Sequence, residues 1–189
     1  MKLKIDNESV RLVVSLAVIA FFAALVLSVV HMFTIVDEEA RLREKIGEVY
    51  SAPLTDQTFD WTGYVDRPDT SISNCYRAED GAYIMIAKSD KAYSSSGIEL
   101  IVIIKDDLIK DVIKYKASET PGIGSKLLED SYLKQFTKYS VDDFDFASGT
   151  AGGAAGIDVA YVTGATRSST GVRYAVEAAV KAYLFLEGK

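Results

Sequence analysis

Residues 98–115 read IELIVIIKDDLIKDVIKY. Ile98 to Ile104 is a β-branched run without helical period, and Leu108 to Tyr115 resumes that character after a break. Between them, Lys105-Asp106-Asp107 is polar and reads as a hairpin turn. The stretch predicts two strands joined by a tight hairpin. Immediately upstream, Ala82–Ala87 (AYIMIA) predicts another strand, with Gly81 marking where the β-rich character begins.

Working outward, Leu127, Leu128, Tyr132 and Phe136 recur at helical spacing, with Ser125 as the expected cap. Residues 147–156 (ASGTAGGAAG) predict a glycine-rich loop, and Val159–Val162 a short strand. Val172, Ala175, Val176, Ala179, Val180, Tyr183 and Leu184 follow the i, i+3, i+4, i+7 rule, which predicts a terminal helix. Ser168, Ser169 or Thr170 is expected to cap it and Gly188 to end it. Residues 51–80 are rich in Asp, Ser and Thr, carry Pro53 and Pro68, and are expected to be irregular. The sum is an α+β domain over residues 81–189.

The N-terminal part differs in kind. Leu12 to Val30 holds 19 residues without a charge, and the apolar character runs on to Val36. A transmembrane helix needs about 20 such residues, whereas the apolar core of a cleaved signal is about 7–15 long and ends in a small-x-small site. Residues 12–36 are therefore expected to be a single uncleaved anchor in the cell (inner) membrane, with residues 1–11 as its flank. Basic residues are balanced across it (Lys2, Lys4 and Arg11 against Arg41, Arg43 and Lys45). Arg11 lies closest to the lipid, which points to a cytoplasmic N-terminus and an exported soluble part. Residues 37–50 predict a charged helix with Leu42, Ile46 and Val49 on one side, the start of a juxtamembrane lead-in over 37–80.

Composition narrows the chemistry. The 189 residues carry 21 basic and 27 acidic side chains, a net charge of −6, which argues against a nucleic-acid partner. Cys75 and His31 are the single cysteine and histidine. An intrachain disulfide, a Cys/His zinc site, a four-cysteine iron–sulfur cluster and a Ser-His-Asp centre are thereby excluded or left without their partners. No catalytic or metal-binding residue is expected, so any redox or group-transfer chemistry must come from a bound organic cofactor or from a partner. Cys75 reads as a free, partly buried thiol, Trp61 as a core anchor and His31 as an interfacial residue.

Two stretches exceed what a turn needs. Thr163-Gly164-Ala165-Thr166-Arg167-Ser168-Ser169 leads into the last helix, where backbone N–H groups and hydroxyls converge as at an anion site; an ordinary capped helix start uses the same residues. Glu119-Thr120-Pro121-Gly122-Ile123-Gly124-Ser125-Lys126 is a stiff, sharply turning loop that lacks the phosphate-loop spacing.

Taken in this order, the two stretches resemble the FMN-binding domain of the Rnf G subunit and its relative, the Nqr C subunit. That family carries an E-T-P-G-hydrophobic-G loop, here Glu119–Gly124, and later S/T-G-A-T-x-[ST], here Thr163–Ser168. The resemblance spans roughly residues 80–186 and the anchor. It implies FMN joined through its phosphate to Thr166 by a flavin transferase. Glu119, Thr120, Gly122, Ile123, Gly124, Thr163, Gly164, Ala165 and Ser168 are implied to surround the cofactor. It further implies an electron-carrying subunit of an ion-translocating ferredoxin:NAD⁺ oxidoreductase, with the other Rnf membrane and iron–sulfur/flavin subunits and membrane lipid as partners.

The chain departs from the family pattern in two places. Ala160 stands where the family usually has Asp, the nearest acid being Asp158, and Lys91-Ala92-Tyr93-Ser94 replaces a K-G-Y-G stretch. Two alternatives stay open on sequence: an Nqr C-like subunit of a sodium-translocating NADH:quinone reductase, and a flavin-free membrane-anchored binding or assembly module.

Overall fold

Five strands follow one another in space in the order in which they occur in sequence, β1-β2-β3-β4-β5, all antiparallel. They are β1 (Leu54–Asp56), β2 (Thr70–Ala78), β3 (Tyr83–Ser89), β4 (Ile98–Lys105) and β5 (Leu108–Ala117). The computed structural model describes residues 7–34, 38–57, 61, 69–144 and 156–189. It divides into two compact units, Met1–Tyr50 and Ser51–Lys189.

The first unit contains helices α1 (Asn7–Thr34) and α2 (Glu38–Val49). Val10–Met32 is a 23-residue stretch of mean hydropathy 2.9 with no buried residue. At 1.5 Å per residue it is about 35 Å long, enough to cross a hydrocarbon core of about 30 Å. Such a helix serves as a membrane anchor or a signal sequence. In α2, Glu38 and Glu39 occupy the first turn, where the helix dipole favours negative charge, and Glu39 pairs with Arg43 at 3.1 Å.

In the second unit the hairpin forms as its sequence requires. Asp106 and Asp107 both have positive φ, 53° and 59°, the geometry of a two-residue turn that matches strand twist. Met85, Leu100, Val102, Ile104, Ile109 and Val112 join the main core, and Ile84, Ile86, Ile101 and Ile103 of β3 and β4 are also out of water. Burial on both faces is why these strands are apolar at nearly every position.

The region 51–80 is not wholly irregular, contrary to expectation. It contributes β1 and the nine-residue β2, which pairs with both β1 and β3. A bulge between Ile72 and Asn74 shifts the alternation partway along β2, and its outward positions carry Ser71, Ser73 and Arg77. The period of two is thereby broken and diluted below recognition. Cys75 is a buried free thiol on this strand, pushed up to about 12 by loss of solvent, and Trp61 packs partly buried against the core.

The helix expected from Ser125 onward is also corrected. Leu127, Leu128, Tyr132 and Phe136 are all buried, but on three short pieces: a 3₁₀ turn (Gly124–Leu128), α3 (Asp130–Leu133) and a second 3₁₀ turn (Lys134–Lys138). Ser125 caps nothing there; its Oγ accepts from Gly122 N at 2.9 Å and closes the preceding loop. The pieces end in a short bridge between Ser140 and Leu108 at the outer edge of β5.

The last helix, α4 (Thr166–Leu186), lies across β2, β3 and β4. Its predicted stripe is buried except for half-buried Leu184, and burial is continuous from Gly171 to Val180. Gly188 (φ 69°) ends it as expected, with Gly188 N bonding Phe185 O and Lys189 N bonding Leu184 O. The expected loop at 147–156 lies outside the described residues up to Ala155, as does the end of the expected anchor at Ile35 and Val36.

Candidate functional site

The Glu119–Gly124 loop and the Thr163–Ser168 turn are brought together. The Ser168 hydroxyl donates to Glu119 Oε2 at 2.6 Å. Ile123 Cγ2 stands 3.8 Å from where a Cβ on Gly164 would be, so the tip of one loop rests against the glycine of the other. Gly164 has φ 81° and Gly122 φ 77°, conformations open to glycine at little cost. Gly124 has a different reason: a Cβ there would lie 2.5 Å from Glu119 Oε2 and 3.0 Å from Glu119 Cβ. Its missing side chain is the space into which the Glu119 carboxyl folds.

The loop is tied to itself by Ile123 N and Ser125 N, both bonding Thr120 O, and by Gly122 N on Ser125 Oγ. Thr120, Pro121, Gly122 and Ile123 are exposed. Glu119 Oε1 is buried and has no hydrogen-bond partner, an acceptor waiting for a donor.

The start of α4 differs from expectation. The helix begins at Thr166, and its cap position is Ala165, which has no side-chain oxygen to offer. Ser168, Ser169 and Thr170 lie inside the first turns and their hydroxyls are spent elsewhere. Ser168 serves Glu119, Ser169 Oγ donates to Ala165 O at 2.9 Å and accepts from Val162 N at 3.1 Å, and Thr170 Oγ1 donates to Thr166 O at 2.9 Å. Hydroxyls one turn inside a helix reach back to the carbonyl four residues earlier, which is why they do not cap. Thr163 and Thr166 are exposed, and among the described residues their hydroxyls have no hydrogen-bond partner. The site therefore presents a free threonine hydroxyl at an uncapped helix N-terminus, where the first-turn N–H groups and the helix dipole favour an anion.

Val159–Val162 is not a strand. Side chains take the place of a neighbouring strand. Arg173 donates to Val159 O at 2.9 Å and Ile157 O at 3.4 Å, and Tyr132 OH donates to Ala160 O at 2.8 Å. Tyr139 OH bonds both Asp158 O and Asp158 N at 2.9 Å. Burial pushes the Tyr132 phenol up to about 12, so it remains a donor at neutral pH. Sequence reasoning missed Arg173 and Tyr139, which no local pattern singles out; Tyr132 reads there as a core position and Ser169 as part of the turn and a candidate cap.

Gly171 was missed as well. A Cβ on it would overlap the main-chain oxygen of Lys91, so the β3–β4 connection presses directly on α4 one turn beyond Thr166. No group of His, Cys, Asp and Glu among the described residues is arranged to hold a metal, and a shallow cleft of about 470 Å³ bordered by Lys114, Lys116 and Ser118 lies where β5 runs into the Glu119 loop.

No curated protein matches the chain. Residues 94–181, running from the tip before β4 through both loops to Lys181 of α4, match the FMN-binding domain family.

Proposed function

We propose that this protein is the membrane-anchored, electron-carrying flavoprotein subunit of an ion-translocating ferredoxin:NAD⁺ oxidoreductase of the Rnf type, with FMN attached through its phosphate to Thr166. The family match implies a flavoprotein with a redox-related role. The finer reading rests on one observation. Of the hydroxyls at 166, 168, 169 and 170, the one at Thr166 is left unbonded, and it stands at the uncapped start of α4.

The residues present fit the group. An anion on Thr166 meets first-turn N–H groups that have no side-chain acceptor at the cap position. The buried, partnerless Glu119 Oε1 would accept a donor, and FMN offers ribityl hydroxyls and a ring N–H. Thr163, Gly164 and Ala165 allow close approach of the main chain, and Thr120, Gly122 and Ile123 supply the exposed face of the facing loop. When bound, FMN supplies the electron transfer itself. The chain contributes attachment, orientation and anchoring, and needs no acid or base of its own. In this reading Val10–Met32 is the anchor, with the N-terminus in the cytoplasm, the soluble unit outside it in contact with the other Rnf subunits, and a flavin transferase as the modifying partner.

Intact mass of the full-length chain co-expressed with a flavin transferase tests the proposal. The expected increment is one FMN less one water. The Thr166→Val variant is expected to insert in the membrane without a covalent chromophore. A flavin band that persists on a denaturing gel from that variant removes Thr166 as the acceptor, and an unmodified wild-type mass favours the flavin-free module.

A further inference from the structure

The stretch that leads into Thr166 has its main chain held by side chains, and the central one comes from α4 itself. Arg173 lies two turns into the helix that Thr166 begins, is 8% exposed, and reaches back to the carbonyls of Val159 and Ile157. Its guanidinium also sits 5.2 Å from the centroid of the Tyr161 ring. Ser169 holds the amide of Val162, and Ala165 N bonds Val162 O, so residues 157–165 form a closed turn strapped to the helix they enter. We propose that Arg173 is a positioning residue for flavin attachment: it holds this turn in the one shape that offers the Thr166 hydroxyl, so that the folded domain is what the transferase accepts.

The proposal rests on the assignment of Thr166 as acceptor. In the transfer, the Thr166 Oγ1–phosphorus bond forms while the phosphoanhydride of a flavin dinucleotide donor breaks. The nucleoside monophosphate leaves, the hydroxyl proton passes to solvent, and nothing is oxidised or reduced. Arg173 touches none of these atoms. Its effect is on how often the free protein presents the hydroxyl correctly. An acceptor that is competent for a fraction of the time binds with an apparent constant raised by the inverse of that fraction. Once the complex has formed, the chemical step proceeds as before. The signature is therefore a rise in KM for the acceptor protein with kcat preserved.

Full-length protein in detergent, unmodified, is titrated as the acceptor against flavin transferase and saturating flavin dinucleotide, with the product followed by intact mass. For Arg173→Met, KM is expected to rise about tenfold with kcat within about twofold. Arg173→Lys, which keeps one charged donor, is expected to recover part of that rise. Far-UV circular dichroism establishes the temperature at which each variant is folded. Should Arg173→Met fail to fold, Tyr132→Phe is read in the same way, since it deletes the hydroxyl that donates to Ala160 O and meets Ser169, loosening the same turn from its other side. A wild type that is modified beside a folded variant with unchanged KM overturns this proposal alone. A fall in kcat with unchanged KM overturns it too, and a wild type that takes no flavin overturns the Thr166 assignment and this proposal together.

Discussion

Ser168 donates its hydroxyl to Glu119 Oε2 at 2.6 Å across 49 residues of sequence, and this bond closes the Glu119 loop onto the first turn of α4. It is a bond between partly buried groups, and its second carboxyl oxygen is already without a donor. Removing the Ser168 hydroxyl leaves the carboxyl short at both oxygens, a loss of about 1–3 kcal/mol. Ser168→Ala is thus expected to lower the unfolding free energy by that order in urea titration. A double-mutant cycle with Glu119→Ala should give a coupling of at least about 0.5 kcal/mol. Gly124→Ala is expected to reproduce much of the Glu119→Ala effect, because the added methyl would take the space of the carboxyl. Additive effects in the cycle would show that the two groups do not interact in solution.

Gly122 tests the facing loop separately from the proposed attachment at Thr166. Its φ of 77° has nothing within 4 Å of a hypothetical Cβ, so a substitution there meets backbone strain and no collision. The strain is about 1–2 kcal/mol for an L-residue, more for a β-branched one. Gly122→Val is expected to leave covalent incorporation largely intact while changing the flavin absorption spectrum or its midpoint potential. Unchanged spectrum and potential in a fully loaded variant would place the loop's function elsewhere.

Gly171 makes the opposite prediction. Its missing side chain admits the main-chain oxygen of Lys91, and backbone cannot swing aside as a side chain does. Gly171→Ala gains helix propensity of about 1 kcal/mol, yet overpacking of this kind costs about 1–3 kcal/mol or more. Net destabilisation is expected, read as a lower melting temperature of the apo protein. A stabilised variant would mean that the β3–β4 connection stands off from α4.

Much of this fold was legible because its signals are local. Asp106-Asp107 between two β-branched runs specifies a hairpin without reference to anything distant, and the apolar stripe of α4 does the same for a helix. Strand β2 was hidden because a bulge and its Ser, Asn and Arg residues blur the alternation, and its pairing with β1 and β3 is a long-range fact. The loops could be named from their residues, but not why Gly124 is glycine. That reason is the Glu119 carboxyl, which packs there through its bond to Ser168. Val159–Val162 looked like a strand because Val, Tyr and Val suit one; Arg173, Tyr132 and Tyr139 hold its backbone from positions that no local pattern connects to it.

The clasp between the hairpin turn and the end of α4 makes the stability of the second unit depend on pH at both ends. Tyr183 OH donates to Asp107 Oδ1 at 2.9 Å, Lys189 pairs with the same carboxyl, and the Tyr183 ring packs edge-on against Tyr83 at 5.5 Å. The hydrogen bond from Lys189, followed by that from Tyr183, holds the Asp107 carboxyl below its usual value of 3.8. A depressed acid stabilises the fold above its unfolded pKa, and that contribution is lost as pH falls through the folded value, so the clasp should loosen below about pH 4. Tyr183 behaves the other way: burial, and then its bond to Asp107, push the phenol up to about 12 from 10.0. Its contribution is complete below pH 10 and disappears as pH rises from there towards 12. Denaturant midpoints measured across pH should accordingly fall at both ends. Asp107→Asn is expected to flatten the acid limb, and Tyr183→Phe to remove this residue's share of the alkaline one. An acid limb that keeps its slope in Asp107→Asn would assign it to other carboxyls, and with them the anchoring of the hairpin to α4.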